Sequence, residues 1–191
     1  RDAAGLKVAV LGDLARTPRF QGAGSSLINA RRTVAALDAL EGRVGSVAYA
    51  QGYERYVDRP DAALLDEARL LASQADVAIV FVGLPEVFET EGADREHLRM
   101  PASHDALVET VAAVNPRTVV VLSNGSPVEM PWIGHVPAVL EGYLGGQESG
   151  GAIARMLVGE LEPGGRLAET FPLRWSEHPV STLPDGPRFA E

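Results

Sequence analysis

The chain contains no cysteine among its 191 residues. Disulfide bonds, thiolate nucleophiles and cysteine-based zinc sites are therefore excluded, while the redox compartment stays open. No apolar run approaches the roughly 18 residues that a membrane-spanning helix needs. Basic residues are fewer than acidic ones, 17 against 26, and the resulting net charge of −9 argues against a nucleic-acid or anionic membrane partner.

The length and the 46% hydrophobic content are typical of one large globular domain. The chain begins at Arg1 and shows neither a signal peptide nor a transit peptide. Residues 175–191 are rich in proline and lack apolar periodicity. We therefore expect an α/β domain over residues 1–174 and a linker or tail over 175–191 toward a missing following domain, so that both ends look cut from a longer protein.

Apolar stretches alternate with segments of helical periodicity at least four times, and the connections between them are short. This alternation predicts a parallel sheet with right-handed crossovers and helices on both faces. We expect an α/β fold, a three-layer α/β/α sandwich with a five- to six-stranded, mostly parallel sheet. The strands are predicted at residues 6–11, 44–50, 77–82, 118–122, 138–141 and 167–171, and the helices at 29–40, 60–74, 103–114 and a last one ending near 158.

The predicted strand at residues 77–82 is an unbroken apolar run, which is typical of a central strand buried on both faces. A cluster of carboxylates follows it directly, namely Glu86, Glu89, Glu91, Asp94 and Glu96. Ligands of open α/β sheets gather at the carboxyl ends of the strands. The cluster therefore indicates either acid–base chemistry or a solvated acidic loop, and the residues alone leave both open.

The loops after the first, third and fourth strands should meet at one edge of the sheet and bring a set of polar side chains together. Ser25 and Ser26 lie in no nucleophile elbow, and the four histidines lack metal-ligand spacing and are interpreted as surface or capping residues. No metal and no cofactor is expected. The set comprises Arg19, Gln21, Ser25, Glu91, Asp94, Arg95 and Asn124.

Two glycine pairs are candidates for the phosphate-binding loops of a flavodoxin-like nucleotide-binding domain. Gly22 and Gly24 lack the third glycine of a dinucleotide loop and lie about ten residues past their strand. Gly145 and Gly146 are not followed by the Lys-Ser/Thr pair of a P-loop. Both observations count against a nucleotide-binding domain.

The segment from Glu91 to Arg95 reads Glu-Gly-Ala-Asp-Arg, and a leucine and a proline follow at Leu98 and Pro101. This segment resembles the acid/base segment of glycoside hydrolase family 3. Further pieces agree with the second, α/β-sandwich domain of the β-glucosidases of that family in order and spacing. They lie at residues 19–26, 114–116, 124–127, 141–147 and 163–172.

The resemblance implies a retaining glycosidase, in which one carboxylate attacks the anomeric carbon and another protonates the glycosidic oxygen. It implies that Glu91 is the acid/base, that Asp94 and Arg95 orient its loop, and that Ser25 and Arg19 are substrate-binding candidates. Its expected partners are a β-linked glucoside, a related oligosaccharide or an aryl glycoside, and a missing N-terminal barrel domain of the same polypeptide.

The nucleophilic aspartate of the family lies on that first domain, and no segment of this chain matches it. Glu89 is a candidate for the second carboxylate, but its position two residues from Glu91 counts against it, because close neighbours in one loop rarely flank a bond from opposite sides. In the absence of the first domain, Glu91 should therefore face water and have a nearly ordinary pKa. The alternative function is a non-catalytic carbohydrate-binding or interaction module of the same fold.

Overall fold

The computed structural model describes residues 3–178 and 181. Five parallel strands form one sheet in the order β2-β1-β3-β4-β5. This confirms the predicted α/β fold. The strands are β1 (Lys7–Leu11), β2 (Ser46–Ala50), β3 (Val77–Gly83), β4 (Thr118–Ser123) and β5 (Ala138–Glu141), and the helices are α1 (Ala36–Leu40), α2 (Ala62–Gln74), α3 (Ala102–Ala112) and α4 (Ser149–Leu157).

The predicted central strand is confirmed, because β3 lies in the middle of the sheet with β1 on one side and β4 on the other. Ile79 is 4% exposed and Phe81 is 2% exposed on one face of the strand, and Val80, which points to the opposite face, is fully buried as well. A continuous apolar run is what a strand needs when helices cover both of its faces. The edge strand β2 is more mixed in sequence and in burial.

Helices cover both faces of the sheet in two pairs. α2 packs on α3, and α1 packs on α4. Right-handed crossovers place α1 on one face and α2 and α3 on the other, because the chain steps from β1 to β2 in one direction and from β2 to β3 and β4 in the other; α4 follows β5 and packs beside α1. The N-terminus of α2 is capped by Asp61, whose side chain accepts hydrogen bonds from the amides of Ala63 and Leu64 at 2.9 and 3.1 Å.

The predicted helix at residues 29–40 is wrong over its first half, because α1 covers only Ala36–Leu40. The preceding residues run without helical structure, and the Val34 amide donates to the Gln147 carbonyl at 2.9 Å. Gly150 at the start of α4 packs so closely here that a Cβ atom on it would lie 2.2 Å from the Val34 oxygen. Packing against α4 therefore outweighs the helical periodicity of this segment.

The predicted last strand at residues 167–171 is also wrong, since the sheet ends at β5 within the described residues. Leu167 is 54% exposed, and of this segment only Phe171 packs against the core. Too little apolar surface is buried here to offset the entropy of ordering a sixth strand.

None of the helices in the described ranges has the length and apolar content of a membrane-spanning helix.

Candidate active site

The candidate site lies at the carboxyl ends of β1, β3 and β4, where three loops meet. The direction of the crossovers reverses between β1 and β3, so this edge holds the topological switch point at which ligands of such sheets bind. The loop after β1 carries Arg19 and Ser25, the loop after β3 carries Glu91, and the loop after β4 carries Ser126. The predicted convergence of these three loops is confirmed by the contacts between them.

Glu91 lies at the tip of a tight turn. Thr90 and Ala93 form an antiparallel bridge across it, and Gly92 takes a φ of +80° that residues with a side chain rarely adopt. The Glu91 side chain is exposed, and its Oε2 atom accepts a hydrogen bond from the Ser25 amide at 2.5 Å. The turn therefore exposes the Glu91 carboxylate to solvent, and the bridge between Thr90 and Ala93 closes the turn beneath it.

The protonation of Glu91 is set by the loop after β1. Hydrogen bonds from the Ser25 hydroxyl and amide lower the pKa of the Glu91 carboxyl below its ordinary value. The expectation of a nearly ordinary pKa is therefore wrong, because the two loops touch. Gly24 permits this contact: its φ is +86°, and a Cβ atom on it would lie 2.5 Å from the Glu91 Cβ.

Arg19 lies underneath the exposed surface of the site. Its side chain is 1% exposed, and its Nη1 atom donates to Glu89 Oε2 at 2.6 Å and to the Leu84 carbonyl. Its Nη2 atom donates to the main-chain oxygen of Glu89 at 3.0 Å. The guanidinium thus binds the chain's own loop after β3 in this structure.

Arg95 and Asp94 follow the turn and lie in different surroundings. The Arg95 Nη1 atom donates to the Ser126 hydroxyl at 2.9 Å and to the Pro127 carbonyl at 2.7 Å. Asp94 is exposed and has no hydrogen bond or ion pair within the part of the chain that the structure describes. Of the two residues predicted to orient the loop, Arg95 is the one in contact with another loop.

The described residues form a shallow hollow at the candidate site and a larger one elsewhere on the sheet. The shallow one of about 160 Å³ is beside Glu91 and is smaller than the 300–1,000 Å³ of typical ligand pockets. The larger, mostly apolar one of about 700 Å³ lies beside β5 and α4, with Glu141 and Tyr143 at its polar end. The shallow hollow adjoins the carboxylates, and its walls are Arg19, Gly22, Ala23, Glu89, Thr90, Glu91, Gly125 and Leu144.

Sequence reasoning missed the role of the loop after β4 and misjudged one histidine. Neither Gly125 nor Ser126 is in the predicted set of site residues, yet both donate hydrogen bonds to the Glu89 carboxylate. His104, predicted to be a surface or capping residue, is fully buried against Tyr53, and burial lowers its pKa to about 3. The signal for Ser126 is its position directly after β4, since the loops that follow neighbouring parallel strands lie at the same edge of the sheet.

No group of three or more His, Asp or Glu side chains in the described residues is placed to hold a metal ion.

Asn124, named in the predicted set, is buried and donates to Glu141 at 3.3 Å instead of facing the shallow hollow. Gln21 bonds with the Ile28 backbone at 3.1 Å and supports the loop that carries Ser25.

Comparison with known proteins gives the family. The sequence profile of the glycosyl hydrolase family 3 C-terminal domain matches residues 3–190. The chain is 47% identical over 175 residues to thermostable beta-glucosidase B of Acetivibrio thermocellus, covering 90% of this chain and 23% of the relative. It is 44% identical over 174 residues to an exo-alpha-(1->6)-L-arabinopyranosidase of Bifidobacterium longum, covering 91% and 23%.

The fold agrees with that of a solved relative. The crystal structure of a GH3 beta-glucosidase from Bifidobacterium adolescentis matches with a TM-score of 0.89 and 43% identity, covering 97% of this chain and 27% of that one. The chain therefore spans less than a third of the length of these relatives. Because the family profile covers residues 3–190, the chain belongs to glycosyl hydrolase family 3, as a C-terminal domain of that family.

Proposed function

We propose that this domain supplies the general acid/base of a retaining, β-glucosidase-like glycoside hydrolase. In this proposal the nucleophilic aspartate lies on an N-terminal, barrel-like domain of the same polypeptide. The substrate is a β-linked glucoside, a related oligosaccharide or an aryl glycoside. A two-carboxylate mechanism of this kind needs no metal and no cofactor.

The observation that carries the proposal is the placement of Glu91. It is the one carboxylate at the rim of the shallow hollow that is exposed at the tip of a turn and held only by Ser25. Glu89, the other carboxylate at that rim, already accepts hydrogen bonds from Arg19, Gly125 and Ser126. Of the two carboxylates that line the shallow hollow in the described residues, one is thus available, and retaining hydrolysis requires two.

The proposed reaction has two steps. In the first, the protonated Glu91 carboxyl gives its proton to the glycosidic oxygen while the carboxylate of the other domain bonds to the anomeric carbon, and the C–O bond to the leaving group breaks. In the second, the Glu91 carboxylate takes a proton from water, whose oxygen attacks the anomeric carbon and frees the enzyme carboxylate. The two carboxyl groups must lie about 5–5.5 Å apart across the bond.

The first step requires a protonated Glu91, whereas Ser25 lowers the pKa of this group in the open domain. Covering the site with another domain would remove water from the carboxyl and raise its pKa, as desolvation does for other glycosidase acids. A substrate that draws the Ser25 amide away would act in the same direction. We therefore propose that the acid form arises only in the covered, substrate-bound site.

The remaining predicted site residues take supporting roles in the proposal. Ser25 borders the sugar and contacts it through the hydroxyl or the amide that now holds Glu91. Arg19 affects sugar binding through the loop that it holds, because its side chain is only 1% exposed. Arg95 orients the Glu91 turn, and Asp94 remains an exposed carboxylate available to the covering domain.

We also propose that the sandwich domain ends near residue 174 and that residues 175–191 lead to a further domain. The segment just after this boundary lies on the surface, where the Trp175 amide donates to Glu129 Oε1 at 2.6 Å.

The relatives named above point to two sugar classes, glucosides and L-arabinopyranosides. An arabinopyranoside lacks the hydroxymethyl group of a glucoside, so paired aryl substrates of the two sugars distinguish these classes.

The test uses the full-length polypeptide that carries this domain, with Glu91→Gln as the variant. We expect turnover of alkyl or oligosaccharide β-glucosides to fall by about 10²–10⁴-fold, the usual effect of removing a general acid. Dinitrophenyl β-glucoside needs no proton on its leaving group and should lose less in the first step. Glu160→Gln is the matched control, because Glu160 pairs with Arg43 and Arg155 at the surface.

Equal losses on good and poor leaving groups, without rescue by added azide or formate, would assign Glu91 another role. Full activity of Glu91→Gln with retained sugar binding would favour the alternative, a non-catalytic carbohydrate-binding or interaction module. The control variant should keep wild-type rates, since exposed ion pairs contribute little to stability.

A further inference from the structure

Glu89 is the most heavily hydrogen-bonded carboxylate near the candidate site. Its Oε2 atom accepts from Arg19 Nη1 at 2.6 Å and from the Gly125 amide at 2.8 Å, and its Oε1 atom accepts from the Ser126 hydroxyl. Its main-chain oxygen accepts a further bond from Arg19. Both the side chain and the backbone of this residue are thus fixed to neighbouring loops.

The turn that carries Glu91 has two stems, a first one that contains Glu89 and a second one that contains Arg95. Ser126 connects them. Its hydroxyl donates to Glu89, two residues before Glu91, and accepts from Arg95 Nη1 at 2.9 Å, four residues after it. A hydroxyl has one proton to donate and two lone pairs to accept with, so it can hold both partners at once. Arg95 adds a second contact at the Pro127 carbonyl, 2.7 Å away.

The intervening residues have little freedom to move on their own. Thr90 and Ala93 are bridged, and Gly92 closes the turn between them. Movement of the Glu91 backbone therefore requires either breaking this bridge or releasing one of the stems. The loop after β4 acts as a fixed base, because it leaves a strand that pairs with β3 along six residues of register.

We propose that Glu89, through Ser126, is a positioning residue that fixes the turn carrying Glu91 relative to the sugar site. This inference rests on the proposed acid/base function of Glu91 and deepens it. Ser126 and Arg95 belong to the same hydrogen-bonded network. Arg19 belongs to it as the buried cation that neutralises Glu89, which gives this residue a role without direct contact with sugar.

The surroundings of Glu89 suit a structural anion and not a proton donor. Burial alone would raise its pKa, but the hydrogen bonds from Ser126, Gly125 and Arg19 hold the pKa below its ordinary value. A carboxylate that stays ionised keeps accepting from all three donors. Replacing Glu89 by a neutral residue would weaken the hydrogen bonds that its side chain accepts and that hold the first stem.

Positional errors are costly in catalysis, and this gives the expected magnitude. A displacement of about 1 Å can lower turnover about 10²-fold, because proton transfer requires a defined approach of donor and acceptor. In the full-length enzyme, Glu89→Gln and Ser126→Ala should each lower kcat about 10- to 100-fold on poor leaving groups. KM should change little, and dinitrophenyl β-glucoside should be affected least.

The variants are compared with two references in the same polypeptide. Glu91→Gln measures the full loss of the acid, and Glu160→Gln is the matched Glu-to-Gln control at a surface ion pair away from the site. Ser126→Thr keeps a hydroxyl and should recover most of the activity that Ser126→Ala loses. The melting temperature of each variant shows whether the fold is intact.

Rates of Glu89→Gln and Ser126→Ala equal to those of Glu160→Gln on poor leaving groups would overturn the positioning role. A uniform loss on all substrates that follows the melting temperature, with no recovery in Ser126→Thr, would also overturn it and leave only a contribution to stability. The proposed function fails separately, if Glu91→Gln itself shows no dependence on the leaving group. The two failures are therefore distinguishable.

Discussion

Two glutamates of one loop, Glu89 and Glu91, show how differently neighbouring carboxylates can be used. The Glu89 side chain is 17% exposed and accepts bonds from three residues, whereas Glu91 is exposed and accepts bonds from Ser25 alone. Both have a lowered pKa, but through networks of different strength and burial. The inner carboxylate is thus bound to the loops around it, whereas the outer one is exposed to solvent, and this difference underlies the roles that we propose for them.

The largest expected effect concerns the outer glutamate without its covering domain. We predict that the 191-residue chain alone hydrolyses no aryl β-glucoside measurably, because only one of the two carboxylates that line its shallow hollow in the described residues is exposed and two are required. The shallow hollow of about 160 Å³ also buries too little of a sugar to bind it firmly. The measurement is an aryl β-glucoside assay on the purified chain, with circular dichroism to verify folding.

Glu91→Gln in the same chain is the control for contaminating enzyme. Activity that persists through purification and disappears in this variant would show that a second carboxylate lies within the chain. Glu89 would then be the first residue to substitute, and the contrast between the two glutamates would no longer hold.

A smaller effect is expected from Gly24→Ala, which acts on the contact of the outer glutamate only. A Cβ atom at Gly24 would lie 2.5 Å from the Glu91 Cβ, at a φ of +86°. We expect a loss of about 1 kcal/mol in the free energy of unfolding, the order of cost of a left-handed conformation with a side chain. The melting temperature should fall by about 2–4 °C for a chain of this size.

Gly164→Ala is the matched control, since it has no atom within 4 Å of the added carbon and no positive φ. Equal melting temperatures for the two variants would mean that the loop carrying Gly24 does not pack on Glu91 in solution. The hydrogen bonds of Glu89 should be unaffected in both variants.

The smallest effect is a change of protonation in Ser25→Ala. The Ser25 hydroxyl is the largest cause that lowers the pKa of Glu91, so its removal should move that pKa up toward its ordinary value. A lowered folded pKa stabilises the fold above the unfolded pKa of about 4.3, and this contribution is lost as pH falls through the folded value. Ser25→Ala should therefore make stability less dependent on pH in this acidic window.

Titration of the Glu91 side chain by carbon NMR measures this change directly, with Glu89 as the internal reference. An unchanged Glu91 pKa in Ser25→Ala would indicate that the amide alone holds the carboxylate. A shift of the Glu89 pKa of the same size would contradict the separation of the two networks.

The fold was largely predictable because the strongest signals are local. The apolar run of β3 identifies a central strand, and the spacing of β1, β3 and β4 predicts that their loops meet. The first half of the helix predicted at residues 29–40 was not predictable, because its backbone pairs with Gln147 across the fold. Its apolar stripe carried no information about that partner.

The loops that form the candidate site were predictable, and the contacts among their residues were not. The motif around Glu91 stands out in the sequence, whereas the contact of Ser126 with Glu89 depends on how two loops pack on neighbouring strands. The lowered pKa of Glu91 likewise depends on a contact between residues 66 positions apart in the chain. Sequence patterns specify the strands that deliver these residues, and tertiary packing decides what they touch.

The most direct test of the central claim is a crystal structure of the full-length polypeptide with a non-hydrolysable β-glucoside analogue. We predict that a Glu91 oxygen lies within about 3.2 Å of the glycosidic heteroatom. We also predict a carboxylate of another domain about 5–5.5 Å away across that bond, with Glu89 still bound to Ser126. A structure in which Glu91 stays on Ser25 and a different carboxyl group reaches the heteroatom would contradict the claim.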